Sequence, residues 1–161
     1  MVRYIIPFFL IIFIGCEING QQIIKPEKFT FNEIKFNSVS KELIFLNLKD
    51  NSEANDMKKL ISYWFDNKIK TDGFDGFLIV TVKDIMTEKI KRDGYFKFSI
   101  NISIEFEEKN NDSSKTKTYK INASDYGEIE GDFSIKDQEN LALNVMHQSL
   151  NSVSKKLLEL N

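Results

Sequence analysis

Cysteine, histidine, tryptophan and proline are nearly missing from this chain of 161 residues, with one Cys, one His, one Trp and two Pro. One cysteine leaves no disulfide framework to read. One histidine beside one cysteine does not furnish the ligand set of a zinc site, and a nucleophile would lack its usual neutral-pH base. Charge of one sign is lacking too, since 22 basic residues stand against 24 acidic ones, for a net charge of -2. That balance gives no basic patch for nucleic acid or for an anionic membrane surface. Glycine-rich phosphate loops, internal repeats and low-complexity tracts are absent. Scarce proline beside abundant lysine, asparagine and isoleucine reads as genome bias and carries no function. Long apolar runs are also absent. The longest, Tyr4 to Ile14, would reach roughly 17 Å as a helix at about 1.5 Å per residue. A bilayer core of about 30 Å needs around 20 residues, so the run is too short to span one.

That run instead suits the apolar core of a secretory signal, with Arg3 before it and Gly15 after it. Four residues then carry a resemblance. Phe13-Ile14-Gly15-Cys16 resembles the lipobox of bacterial lipoprotein precursors, with a small residue before the cysteine and an aliphatic one before that. Phe13 stands where that family usually has leucine. The resemblance implies a signal peptide over residues 1–15, a diacylglyceryl thioether on Cys16 and acylation, as with palmitate, of the new amine. Two or three acyl chains, at about 0.8 kcal/mol per buried methylene, anchor stably where one would not. Glu17 after the cysteine implies the outer membrane, by the sorting rule of enterobacterial members. With Cys16 lipidated no thiol remains, which suits an oxidising compartment such as the periplasm.

Residues 16–28 read as the lipidated cysteine and a polar tether, and residues 29–161 as one domain by length. Phe29-Thr30-Phe31 and Ile34-Lys35-Phe36 alternate out of phase, which predicts a first strand with a bulge near Asn32-Glu33. Leu43 to Leu48 is an apolar run of strand or loop type. Asp50-Asn51-Ser52 offers helix-start residues. Met57, Leu60, Ile61, Trp64, Phe65 and Ile69 follow at helical spacing, which predicts a helix to about Thr71 closed by Asp72-Gly73. Phe77 to Ile90 reads as a strand, Asp93-Gly94 as a hairpin turn, and Phe96 to Phe106 as a strand of strict alternation. Thr116 to Ser124 reads as a further strand, Asp125 to Asp132 as a connection, and Ser134 to Leu160 as a closing helix. The class is α+β: a mainly antiparallel sheet with two helices on one face, in the order strand, helix, three-stranded meander, helix. The polar alternate face of the Phe96–Phe106 strand predicts a sheet side open to water or to a partner.

Candidate chemistry is sparse. His147 flanks an apolar stripe with no evident partner, so it reads as a structural or surface residue. Asp72-Gly73-Phe74-Asp75-Gly76 has carboxylates among glycines, but a calcium loop needs more oxygen ligands, and turn chemistry explains the same residues. Glu105, Glu107 and Glu108 read as the solvated end of a strand, and Trp64-Phe65 as core. No catalytic residue, metal or cofactor is expected. The order of elements behind a lipobox loosely resembles small Gram-negative accessory lipoproteins, such as the lipopolysaccharide-assembly lipoprotein and the auxiliary lipoproteins of ABC transporters. That resemblance implies a non-catalytic subunit of an outer-membrane assembly or transport system, with the membrane as one partner and an envelope protein as another. The alternative is a stand-alone lipid- or glycan-binding lipoprotein, which needs an apolar pocket between sheet and helices.

Overall fold

The computed structural model describes residues 29–46, 48, 50–110 and 116–160. The signal peptide of residues 1–15, the lipidation site Cys16 and the tether to residue 28 lie outside the described residues. The elements run β1 (Ile34–Phe36), β2 (Ser40–Phe45), α1 (Ser52–Lys68), β3 (Ile69–Thr71), β4 (Phe77–Arg92), β5 (Tyr95–Lys109), β6 (Thr116–Glu130) and α2 (Ile135–Leu160). One sheet has the order β2-β4-β5-β6, antiparallel except for the β2–β4 pair. A separate two-stranded parallel sheet joins β1 to β3. The class is α+β.

The long hairpin of β4 and β5 turns at Asp93-Gly94, where Gly94 has φ 63°. On β5, Phe96, Phe98, Ile100, Ile102, Ile104 and Phe106 are all buried, while the residues between them are half-exposed. Pairing carries the same inward face to Ile121, Ala123 and Ile129 of β6. The sheet register shifts between Val82 and Asp84 of β4, so Lys83 is the extra residue. The bulge changes the parity of the inward set. It moves from Leu78, Val80 and Val82 to Ile85, Thr87, Lys89 and Lys91.

Both helices cover this one face. Trp64 of α1 meets Phe106 edge-on at 6.3 Å between ring centroids. On α2, Leu141 and Val145 pack where Gly127 of β6 has no side chain; a Cβ there would lie 2.8 and 2.9 Å from them. Each helix begins on a side-chain cap. Asn51 accepts from the Ala54 N–H at 2.7 Å. Ser134 Oγ accepts from the Asp137 N–H at 3.2 Å, and the Asp137 carboxylate accepts from the Ser134 N–H at 2.8 Å. The second arrangement is a capping box.

The structure corrects several boundaries. Only Ile34–Phe36 of the expected first strand is a strand; Phe29–Phe31 is irregular and packs on α2 instead. The Leu43–Leu48 run belongs to a strand, Ser40–Phe45, laid parallel to β4. Helix α1 stops at Lys68, because Ile69 is extended (φ -86°, ψ 116°) and pairs with Ile34. Its last carbonyls are taken by a side chain rather than by Asp72-Gly73. Lys41 Nζ donates to the carbonyls of Phe65 and Ile69, both at 2.6 Å, and lies 4.5 Å from the centre of the Phe65 ring. A cation there suits the negative end of the helix dipole, although burial lowers the Lys41 pKa. Residues 125–130 continue β6 rather than forming a connection, since Gly127 is the seat of α2.

Gly76 has φ 76°, and a Cβ on it would collide with the Lys109 carbonyl oxygen. Gly94 has the same handedness but only an oxygen at 3.9 Å. Gly94→Ala should therefore cost about 1 kcal/mol for the left-handed backbone alone. Gly76→Ala should cost more, because a clash is added to the same penalty. Urea midpoints of the two variants measure the difference, and equal losses would contradict the close approach.

Candidate functional site

The region of most interest lies between the N-terminal parts of the two helices, over the turn end of the hairpin. A groove of about 500 Å³ opens there, and its lining includes Phe96, Ile135, Ala142, Leu143 and Met146. Ile135 and Leu143 are 72% and 43% exposed, so apolar surface on α2 faces this space uncovered. Polar groups rim it. Lys89 pairs with Glu53, whose carboxyl pKa is lowered chiefly by that hydrogen bond. Asp56 is tied to Lys59 at 2.8 Å. The groove owes its polar floor to the β4 bulge, which turns Lys89 and Lys91 inward where Val80 and Val82 stand lower down.

Lower down, the chain itself fills the space between the helices. Phe29 stacks on His147 of α2, with centroids 4.8 Å apart and planes 3° from parallel. Phe31 lies 5.9 Å from the same ring. Phe36 stacks on Phe106 at 6.2 Å, and the Ser38 hydroxyl donates to Glu108 at 3.4 Å. The sequence showed no partner for His147. The Phe29-x-Phe31 spacing was the available signal, but nothing local tied it to residue 147.

The other face of the sheet carries no helix. Across it, Lys83 and Lys120 flank Glu105 at 3.4 and 3.5 Å. Burial alone would raise the Glu105 carboxyl; the hydrogen bond and charge of Lys83, with the charge of Lys120, outweigh it and hold the pKa below its usual value. Toward the hairpin turn the same face forms a shallow hollow of about 550 Å³ lined in part by Met86, Glu88, Ile90, Lys97, Ser99 and Tyr126. Met86 and Tyr126 are well exposed, and Lys97 Nζ lies 4.6 Å from the Tyr126 ring centre. This is the open side expected from the alternation of β5.

The remaining candidates resolve by geometry. Asp72 pairs with Lys35 at 3.6 Å, and Asp75 accepts from the Gly76 N–H at 2.7 Å, as turn residues do. Phe74 stands fully exposed at the tip of that turn. Glu108 is not solvated as expected; it points to the helix side, is buried, and lies 3.8 Å from Lys117. Trp64 and Phe65 are core. Among the described residues no group of three or more His, Cys, Asp or Glu is placed to hold a metal ion. No described helix is long and apolar enough to cross a membrane.

No family model matches the chain, and no curated protein does. Solved structures give faint likenesses. A minor lipoprotein from Acinetobacter baumannii shares 10% identity at a TM-score of 0.37, over 74% of this chain and 87% of its own. Rare lipoprotein B from Shewanella oneidensis shares 9% at 0.38, over 74% and 91%. A neuraminyllactose-binding hemagglutinin homolog from Helicobacter pylori shares 13% at 0.33, over 84% and 96%. Scores this low carry no argument about role, and the α+β class rests on the strands and helices themselves.

Burial lowers the His147 pKa, and its Nδ1 is buried without a hydrogen-bond partner. The folded state then binds fewer protons than an unfolded imidazole near pH 6.5. Stability from this site is present above that value and is lost as pH falls through the lower folded pKa. His147→Phe keeps a ring in the stack. It should flatten the decline in Tm between about pH 6.5 and the carboxylate range near 4.5. An unchanged pH profile would contradict the assignment.

Proposed function

We propose that the chain is a bacterial envelope lipoprotein, held to the outer membrane through acyl chains on Cys16 and facing the periplasm. In this reading it is a non-catalytic accessory subunit of an assembly or transport system. The lipobox-like Phe13-Ile14-Gly15-Cys16 supports the anchor. The observation that carries the accessory role is the helix-free side of the sheet. There Met86 and Tyr126 stand exposed beside a shallow hollow, on a framework that the core holds rigid from behind. Aromatic and methionine side chains on a polar background are the composition of protein-binding patches.

One observation favours the alternative, a stand-alone lipid- or glycan-binding role. The groove between the helices, with apolar side chains of α2 along one wall over a polar floor, supports a site for an amphiphilic ligand. Location and use are tested together by placing a photo-crosslinking residue at Tyr126 in cells, in the wild type and in Cys16→Ala, with fatty-acid labelling of both. The expected result is label, membrane retention and one discrete crosslinked envelope partner in the wild type. Label and retention should vanish together in the variant. Label surviving in Cys16→Ala would remove the anchor, and a labelled protein giving no crosslink at Tyr126 would remove the accessory role of this face.

A further inference from the structure

At the end of the sheet opposite the β4–β5 turn, the chain holds Phe74 100% exposed. The turn that carries it is firmly built. Its backbone is tied to residues 36–39 at three points. The Asp72 N–H donates to the Phe36 carbonyl at 3.2 Å, the Gly73 N–H to the Ser38 carbonyl at 3.1 Å, and the Val39 N–H to the Gly76 carbonyl at 3.1 Å. A Cβ on Gly73 would lie 2.5 Å from the Asn37 carbonyl carbon, and the Asp75 carboxylate closes back on the Gly76 N–H. Close-packed glycines and hydrogen bonds thus hold a large apolar side chain out in water, clear of the rest of the fold. Val39 and Phe77, both exposed, border one hollow beside Gly76, so the tip is an apolar knob. Charges around it are already matched: Lys35 pairs with Asp72 at 3.6 Å, and Lys109 with Glu107 at 3.2 Å.

We infer that this knob enters the surface of a phospholipid bilayer, as a second attachment beside the acyl chains proposed at Cys16, the reading on which the inference rests. Shape and magnitude select the lipid. A convex tip needs no matching pocket in a fluid interface. Burying one phenylalanine favours the bound state roughly ten- to hundredfold. That is too little for two free proteins, whose association first costs about a thousandfold or more. A surface to which the chain is already tethered stands at high effective concentration, and there the same gain suffices. The tether is long enough. Phe29 is seated on His147, and Ser38, whose carbonyl holds the tip, is nine residues farther on. Those nine residues span at most about 32 Å, whereas the thirteen from Cys16 to Phe29 allow up to about 45 Å. Cys16 can therefore lie level with the tip. Because the neighbouring charges are matched, insertion draws on apolar contact and not on lipid charge. Attachment by this end also spares the open face of the sheet. Strand β5 leads away from the tip, from Lys109 opposite Phe77 to Tyr95 at the turn. Ser99 lies ten residues along it, roughly 33 Å at about 3.3 Å per residue. The hollow beside Met86 and Tyr126 is thereby held clear of the lipid and free for a protein partner.

The test separates the knob from natural acylation. The full chain made by cell-free translation keeps its Cys16 thiol, which is coupled to a maleimide lipid in phosphatidylcholine vesicles whose acyl chains carry bromine, a quencher of indole. Phe74→Trp reports the tip, and Tyr126→Trp reports the open face. Trp64, fully buried in the core, supplies the background and shows that each variant is folded. Relative to unbrominated vesicles, the fluorescence added by Phe74→Trp should fall twofold or more, in low and high salt alike. That added by Tyr126→Trp should not change. No quenching at Phe74→Trp, equal quenching of both variants, or quenching that vanishes in high salt would overturn the proposal. So would a photo-crosslinking residue at position 74 that captures protein and no lipid in cells. Failure of the anchor itself shows separately, as absence of fatty-acid label on the wild type in cells, and leaves the quenching result unaltered.

Discussion

Every second residue of β5 from Phe96 to Glu108 is buried, and none of those between them is. This one-sided burial is the constraint from which the rest of the structure follows. It obliges both helices to share a face. Buried phenylalanine and isoleucine side chains on a strand are stable only under cover, each gaining roughly 1.5–3 kcal/mol from burial. It equally leaves the serine, asparagine and glutamate side free of helices, with the Lys83–Glu105–Lys120 bridge as its strongest polar feature.

The second constraint is the bulge at Lys83. Below it the inward row of β4 is aliphatic, and above it the row becomes Thr87, Lys89 and Lys91. The aliphatic row is buried beneath the helices, whereas Lys89 and Lys91 line an open groove. The result is a molecule filled to different degrees along its length. The lower interhelical space holds Phe31, Ile34 and Phe36, all buried. The upper space holds a groove with one apolar wall, and the incoming chain lies on the boundary between the two.

Much of this was legible in the sequence. The strict alternation of β5, the Asp-Gly turn and the helical stripes of α1 and α2 are local patterns, and local patterns fix their elements. Misreadings fell where distant residues decide. Ile69 looks helical by spacing, yet Ile34 claims it for a parallel pair. Lys41 replaces the expected glycine cap from a strand far away in sequence. Gly127 reads as a loop residue until α2 is laid upon it. The groove was invisible for the same reason, since its lining is gathered from α1, β4, β5 and α2. The open sheet face was foreseeable, because alternation alone assigns its residues.

The one-sided sheet is tested most directly at two neighbouring residues, Phe98 and Ser99. Phe98 is fully buried, while Ser99 lies on the outer face beside the hollow. Urea unfolding of Phe98→Ala should show a loss of about 3–5 kcal/mol. Ser99→Ala should stay within about 0.5 kcal/mol of the wild type. Losses of similar size at both positions would mean that both faces are covered, and would contradict the account.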